Sequence, residues 1–85
     1  MSRATPDAEL LSPLRLRLVR MTANGYRDAE TAALLRLSIN TVSGELWRAR
    51  RQLGARNRVH AVAICLALGL ISPDEIDLPG EEPQP

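Results

Sequence analysis

Between Ser12 and Gly69 the apolar residues fall into four blocks with helical spacing, each bounded by polar, glycine or proline punctuation. Ser12-Pro13 starts the first block. The serine hydroxyl can accept from free amides, and a proline at the first helical position has no N–H to leave unpaired. Asn24-Gly25 ends it, which predicts a helix over 13–23. Leu14-Arg15-Leu16-Arg17-Leu18 also alternates as a strand would, but the serine-proline start favours the helix. Its expected buried face holds Leu14, Leu18 and Met21, with Val19 and Thr22 beside it and Leu16 pointing outward. Arg15 stands where a capping box would carry Glu. A second helix over 28–35 is predicted to start at Asp28, whose carboxylate can cap it or meet its N-terminal dipole; Ala32 and Ala33 keep it slim. Arg36-Leu37-Ser38 leaves a short turn without glycine before a third helix over 39–53, closed by Gly54. A fourth helix, 58–69, ends at Gly69, and Ser72-Pro73 prevents its continuation. The predicted fold is all-α: four helices, with the second and third at helix-turn-helix spacing.

The third helix has the sharpest division of faces. At about 100° per residue, Val42, Leu46, Ala49 and Leu53 share a sector about 60° wide that must face the core. Asn40, Gly44, Trp47, Arg48 and Arg51 lie opposite, with Ser43 and Arg50 on one shoulder and Glu45 on the other. Arginine and asparagine match base edges in the major groove, and glycine lets a helix backbone approach closely. A solvated surface could carry the same arginines, but it would leave Trp47 exposed without reason. Arg27, Thr41, Arg56 and Arg58 fall at helix ends and turns, where they could reach phosphates.

Charge supports a polyanionic partner. The formal net charge of the 85 residues is only +1, but the segment Leu11–Ile71 carries ten arginines against Asp28, Glu30 and Glu45. From Ser72 onward there are five acids and no arginine. Three parts are therefore expected: a loose lead-in over 1–10, one domain over 11–71, and an acidic, proline-rich flexible tail over 72–85. The tail could be idle, or could act as a DNA-mimicking brake or polymerase contact. The chain has no phenylalanine, and its aromatics are Tyr26 and Trp47, so the core is expected to be aliphatic. Cys65, alone in an apolar run, reads as a small buried hydrophobe in a reducing compartment. The run Val59–Ile71 is too short to span a membrane, and the N-terminus lacks the apolar stretch of a signal peptide, so a cytoplasmic location is expected.

The fourth helix is apolar almost all round. One face should pack on the core, and the other is expected to meet a second copy through Val59, Val62, Ala63 and Leu66. His60 has no cysteine, histidine or acid at ligand spacing, and the chain contains no nucleophile–base pair, metal set or phosphate loop. No enzyme activity, metal or cofactor is expected.

The segment Leu11–Ile71 resembles the LuxR/FixJ/NarL-type helix-turn-helix domain, including its small GerE-like members. Leu11-Ser12-Pro13 is similar to the family's opening Leu-Thr-Pro, and Gly25 to its post-helix glycine. Glu30 with Ala32 resembles its Glu-Ile-Ala, and Ser38 with Thr41-Val42 its Ser-x-x-Thr-Val. Leu53-Gly54-Ala55-Arg56-Asn57-Arg58 is close to Leu-Gly-Val-Arg-Asn-Arg, and Ala61-Val62 follows as Ala-Val does there. The resemblance implies a DNA-binding domain of a bacterial transcription regulator, with the third helix in the major groove and the fourth as dimer contact.

Several residues depart from the family pattern. Ser43 and Glu45 replace the usual lysine and histidine, and Arg15 and Arg17 replace an acidic pair. Thr31 replaces an isoleucine, and Arg50 takes a commonly apolar place. Glu45 disfavours phosphate; it could read a cytosine amino group, or pair with Arg48 or Arg27. Neither a receiver nor a ligand-sensing domain fits before Leu11, so the leading expectation is a stand-alone dimeric regulator from a bacterium or phage, on an inverted repeat of double-stranded DNA. The alternative is a protein-interaction module of the same fold that binds another regulator or RNA polymerase with weak or no DNA binding.

Overall fold

The computed structural model describes residues 11–81. The expected lead-in over 1–10 and the last four residues of the tail lie outside the described residues. Four helices follow in order: α1 (Pro13–Ala23), α2 (Asp28–Leu35), α3 (Ile39–Leu53) and α4 (Arg58–Leu68), then two single-turn 3-10 helices, Pro73–Glu75 and Pro79–Glu81. There is no strand among the described residues. The all-α, four-helix expectation holds, and the helix boundaries agree to within a residue.

Local chemistry accounts for most of these boundaries. Ser12, Ser38 and Asn57 each accept from the backbone N–H three residues on, in Arg15, Thr41 and His60. Gly54 and Gly69 close α3 and α4 in the left-handed conformation, φ +71° and +79°, where a Cβ is disfavoured. The start of α2 falls at Asp28 as expected, with Asp28 in the first turn and not at the cap. Arg27 is its N-cap, and Glu30 Oε1 accepts from the Arg27 N–H at 2.8 Å, so Asp28 sits one residue inside the helix with its carboxylate free for other partners.

The core is built around α3, which packs against all three other helices. Leu18, Val19, Val42, Ala49, Cys65 and Ile71 are completely or almost completely out of solvent. Burying a side chain the size of Leu18 contributes about 1.5–3 kcal/mol. The inner face of α1 corrects the expectation at two leucines. Leu14 is exposed, whereas Leu16 packs at the edge of the core. Leu18 and Val19 are both buried, so the face is centred between them, on the line of Arg15 and Thr22. Leu14 and Leu16 flank that line at similar angles, on opposite sides, and Leu14 lies in the open first turn of the helix.

The residues after Ile71 fold back on α1. Glu75 accepts from the Ser72 N–H at 2.9 Å, and its other carboxylate oxygen lies 3.3 Å from Arg20 Nε. Asn24 donates to the Glu75 carbonyl and accepts from the Asp77 N–H, while Ile76 packs against the core. The first part of the acidic tail is thus docked on the domain. Ile76 packs on the core beside Glu75, which pairs with Arg20 of α1.

The helix-turn-helix turn achieves its reversal without glycine. Arg36 adopts φ +58°, ψ +46°, and the Leu37 N–H donates to the Ala32 carbonyl at 2.9 Å across the helix end. An L-residue in this conformation costs about 1–2 kcal/mol, part of which a glycine gives back as unfolded-state entropy. Arg36→Gly is expected to stabilise the domain by ~0.5–1 kcal/mol in urea unfolding. A destabilised variant would mean that the Arg36 side chain, and not its backbone, sets the turn.

Candidate nucleic-acid interface

The inward stripe of α3 is buried as its spacing requires: Val42, Leu46 and Ala49 are at most 4% exposed, and Leu53 packs beside them. Asn40, Thr41, Trp47, Arg48 and Arg51 are exposed on the outward side, with Gly44 among them. Trp47 is 52% exposed, and the Arg51 guanidinium stacks over its ring, 4.9 Å from the centroid. Thr41 accepts a hydrogen bond from the Ser38 hydroxyl at 2.9 Å and so belongs to the start of the helix as well as to its surface. Arg27, at the N-cap of α2, and Arg56, in the turn after α3, are both exposed.

Two of the expected contact residues are engaged internally. Ser43 donates to Asp28 Oδ2 at 2.5 Å, and Arg58 grips both Asp28 oxygens at 2.7 Å each. One carboxylate at the start of α2 thereby joins α3 and α4. A two-pronged arginine–carboxylate pair of this kind is among the stronger polar contacts available at a surface. The Arg58 bonds hold the Asp28 carboxyl below the ordinary carboxylate range, and Asp28 in turn raises Arg58. Arg58 and Ser43 therefore orient the face more directly than they extend it.

The other flank is held from α1. Arg15 Nε donates to Glu45 Oε1 at 2.6 Å and Arg15 Nη1 to Gln52 Oε1 at 2.7 Å. The second Glu45 oxygen lies 3.8 Å from Arg48 Nη1. Of the partners considered for Glu45, Arg48 is present and Arg27 is not; Arg15 is the principal one and holds the Glu45 carboxyl below its ordinary range. An arginine in α1 and a glutamate in α3 thus compensate each other. Opposite charges at 15 and 45 were the available signal, but nothing local connects positions 30 residues apart.

Arg50 and His60 brace the exit of α3. Arg50 Nη1 donates to the Ala55 and Arg56 carbonyls at 2.9 and 3.3 Å. His60 Nδ1 accepts from the Arg56 N–H at 3.0 Å. Cys65 is fully buried, which pushes its thiol pKa up. Among the described residues no cluster of three His, Cys, Asp or Glu side chains could hold a metal ion, and no helix is long and apolar enough to cross a membrane.

The outer side of α4 presents Val59, 79% exposed, with Ala63 and Ala67. Val62 and Leu66 are half-buried against the core and form the inner border of this strip. An open groove beside it is lined by Thr22, Ala23, Arg58, Val59 and Val62.

Over 73 residues, 86% of its length, the chain is 39% identical to the HTH-type quorum sensing-dependent transcriptional regulator VjbR of Brucella ovis. The same values hold for the VjbR proteins of Brucella abortus and Brucella suis. The match spans 28% of the length of each of these relatives. No protein-family model matches the chain.

The Asp28 junction has a testable pH signature. Its folded-state pKa is depressed, so the stabilisation it contributes is complete above the unfolded carboxylate range and is lost as pH falls through the folded pKa. Asp28→Asn is expected to remove about 1 kcal/mol at neutral pH and to flatten the acid limb of a Tm–pH curve. An acid limb as steep as the wild type's would assign the loss to other carboxylates.

Proposed function

We propose that this chain is a DNA-binding domain of a bacterial or phage transcription regulator of LuxR/FixJ/NarL type, which inserts α3 into the major groove. The observation that carries this reading is the outward face of α3, where Asn40, Gly44, Trp47, Arg48 and Arg51 stand together on a helix braced on both flanks. Such a face offers arginine forks and an amide to base edges, and an aromatic surface to sugars and thymine methyl groups. Arg27, Thr41 and Arg56 border it as phosphate contacts. Identity with helix-turn-helix regulators supports the same reading. The role is recognition and not catalysis, and a cytoplasmic location follows from the target.

The domain acts as a dimer on an inverted repeat. Val59 and Ala63 lead the contact, and Val62 and Leu66 support it from the edge of the core. Pairing two copies this way suits two α3 helices about one DNA turn apart.

Selection of bound duplexes from a random pool is the decisive experiment, and a palindromic consensus is the expected result. Arg48→Ala combined with Arg51→Ala should weaken binding to the selected duplex more than about tenfold at moderate salt. A complex that survives both changes would overturn the α3 reading and favour the protein-interaction module. Val59→Asp is expected to shift the protein from dimer to monomer in sedimentation equilibrium with its helicity intact; a wild type that stays monomeric on DNA and off it removes the dimer.

A further inference from the structure

We propose that Glu45, fixed by Arg15 of α1, positions Arg48 and so makes the α3 face discriminate between a matched duplex and a random one. The inference rests on the DNA-binding role proposed above. Its basis is a chain of contacts along one flank of α3.

The Arg15 guanidinium bonds both Glu45 and Gln52, seven residues and about two turns apart on α3. Both ends of the Arg15–Glu45 pair are largely covered, with side-chain exposures of 22% and 24%, so the carboxylate is not free to swing. One of its oxygens is taken by Arg15, and the other faces Arg48 Nη1 at 3.8 Å. Gly44 makes room for this arrangement. A Cβ built on Gly44 would come within 3.3 Å of Arg48 Nη1, closer than most real contacts of that kind. Arg48 thus lies back across Gly44 toward Glu45, whereas Arg51 stacks on Trp47.

The chemistry of this placement separates two kinds of contact. An unrestrained surface arginine closes on the nearest phosphate, which carries no sequence information. Glu45 opposes that closure twice: its charge repels phosphate, and it draws the exposed Arg48 guanidinium back along α3. A matched base edge that accepts both prongs of the fork repays release from Glu45, and a random sequence does not.

The test uses the duplex recovered by selection and a scrambled duplex of equal length. Glu45→Gln is expected to tighten binding to the scrambled duplex and to lower the matched-to-scrambled affinity ratio by about two- to fivefold. Loss of one negative charge alone would tighten both probes equally and leave the ratio unchanged, so an unchanged ratio overturns the proposal. In an Arg48→Ala background, adding Glu45→Gln should leave the ratio where it was. The charge-swapped pair Arg15→Glu with Glu45→Arg supplies the structural control. It should recover the α1–α3 bridge and the thermal stability but not the ratio, because a cation then faces Arg48. If the swap restores the ratio as well, Glu45 is only a bridge between helices. A wild type with no preference for any duplex defeats the DNA reading itself; a selective wild type whose ratio ignores Glu45 defeats this inference alone.

Discussion

The third helix exposes a polar face whose two flanks are held by charged groups from other helices. Its apolar stripe is narrow, Val42, Leu46 and Ala49 with Leu53 beside them. Asp28 pins one flank through Ser43 while gripping Arg58 of α4, and Arg15 pins the other through Glu45 and Gln52. These contacts come from α1 and α2, on opposite shoulders. Hydrophobic burial sets the depth of α3 and which side looks outward, and the two polar clamps hold its shoulders.

The clamps also show which parts of the structure were readable from the chain and which were not. Helix starts at Ser12, Ser38 and Asn57 and stops at Gly54 and Gly69 were legible because a cap is a local event, completed within three or four residues. The inward face of α3 was legible for the same reason, since its period repeats along one element. The flanking clamps were not, because Arg15 and Glu45, or Asp28 and Arg58, meet only after the helices have crossed. The Arg36 turn was hidden too: its left-handed backbone is enforced by the packing on either side and not by a glycine. At Leu14 and Leu16 the sequence offered alternating leucines at similar angles from the buried face, and helical period does not separate them. Of the candidate interface residues, those opposite the stripe are where periodicity puts them, while Ser43 and Arg58, on a shoulder and at a helix end, were claimed by Asp28.

A domain this small divides its surface tightly between jobs. The outer strip of α4 is apolar and open, while the outward face of α3 is polar and open, and α4 begins with Arg58, whose fork reaches back to α2. Asp28 therefore bonds α3 and α4 at once, through Ser43 and Arg58. The docked segment Ser72–Asp77 covers the end of α1, where Asn24 holds its backbone and Ile76 packs on the edge of the core.

Trp47 is the single tryptophan of the chain, and it stands outside the core with Arg51 against its ring. Its emission therefore reports on the wrong event for a folding experiment and the right one for a surface. Loss of Leu18 and Cys65 from the interior changes little around an indole that water already reaches, whereas anything laid along α3 must displace Arg51 or cover the ring. The molecule carries its own optical label for contact, separate from the signal of its unfolding.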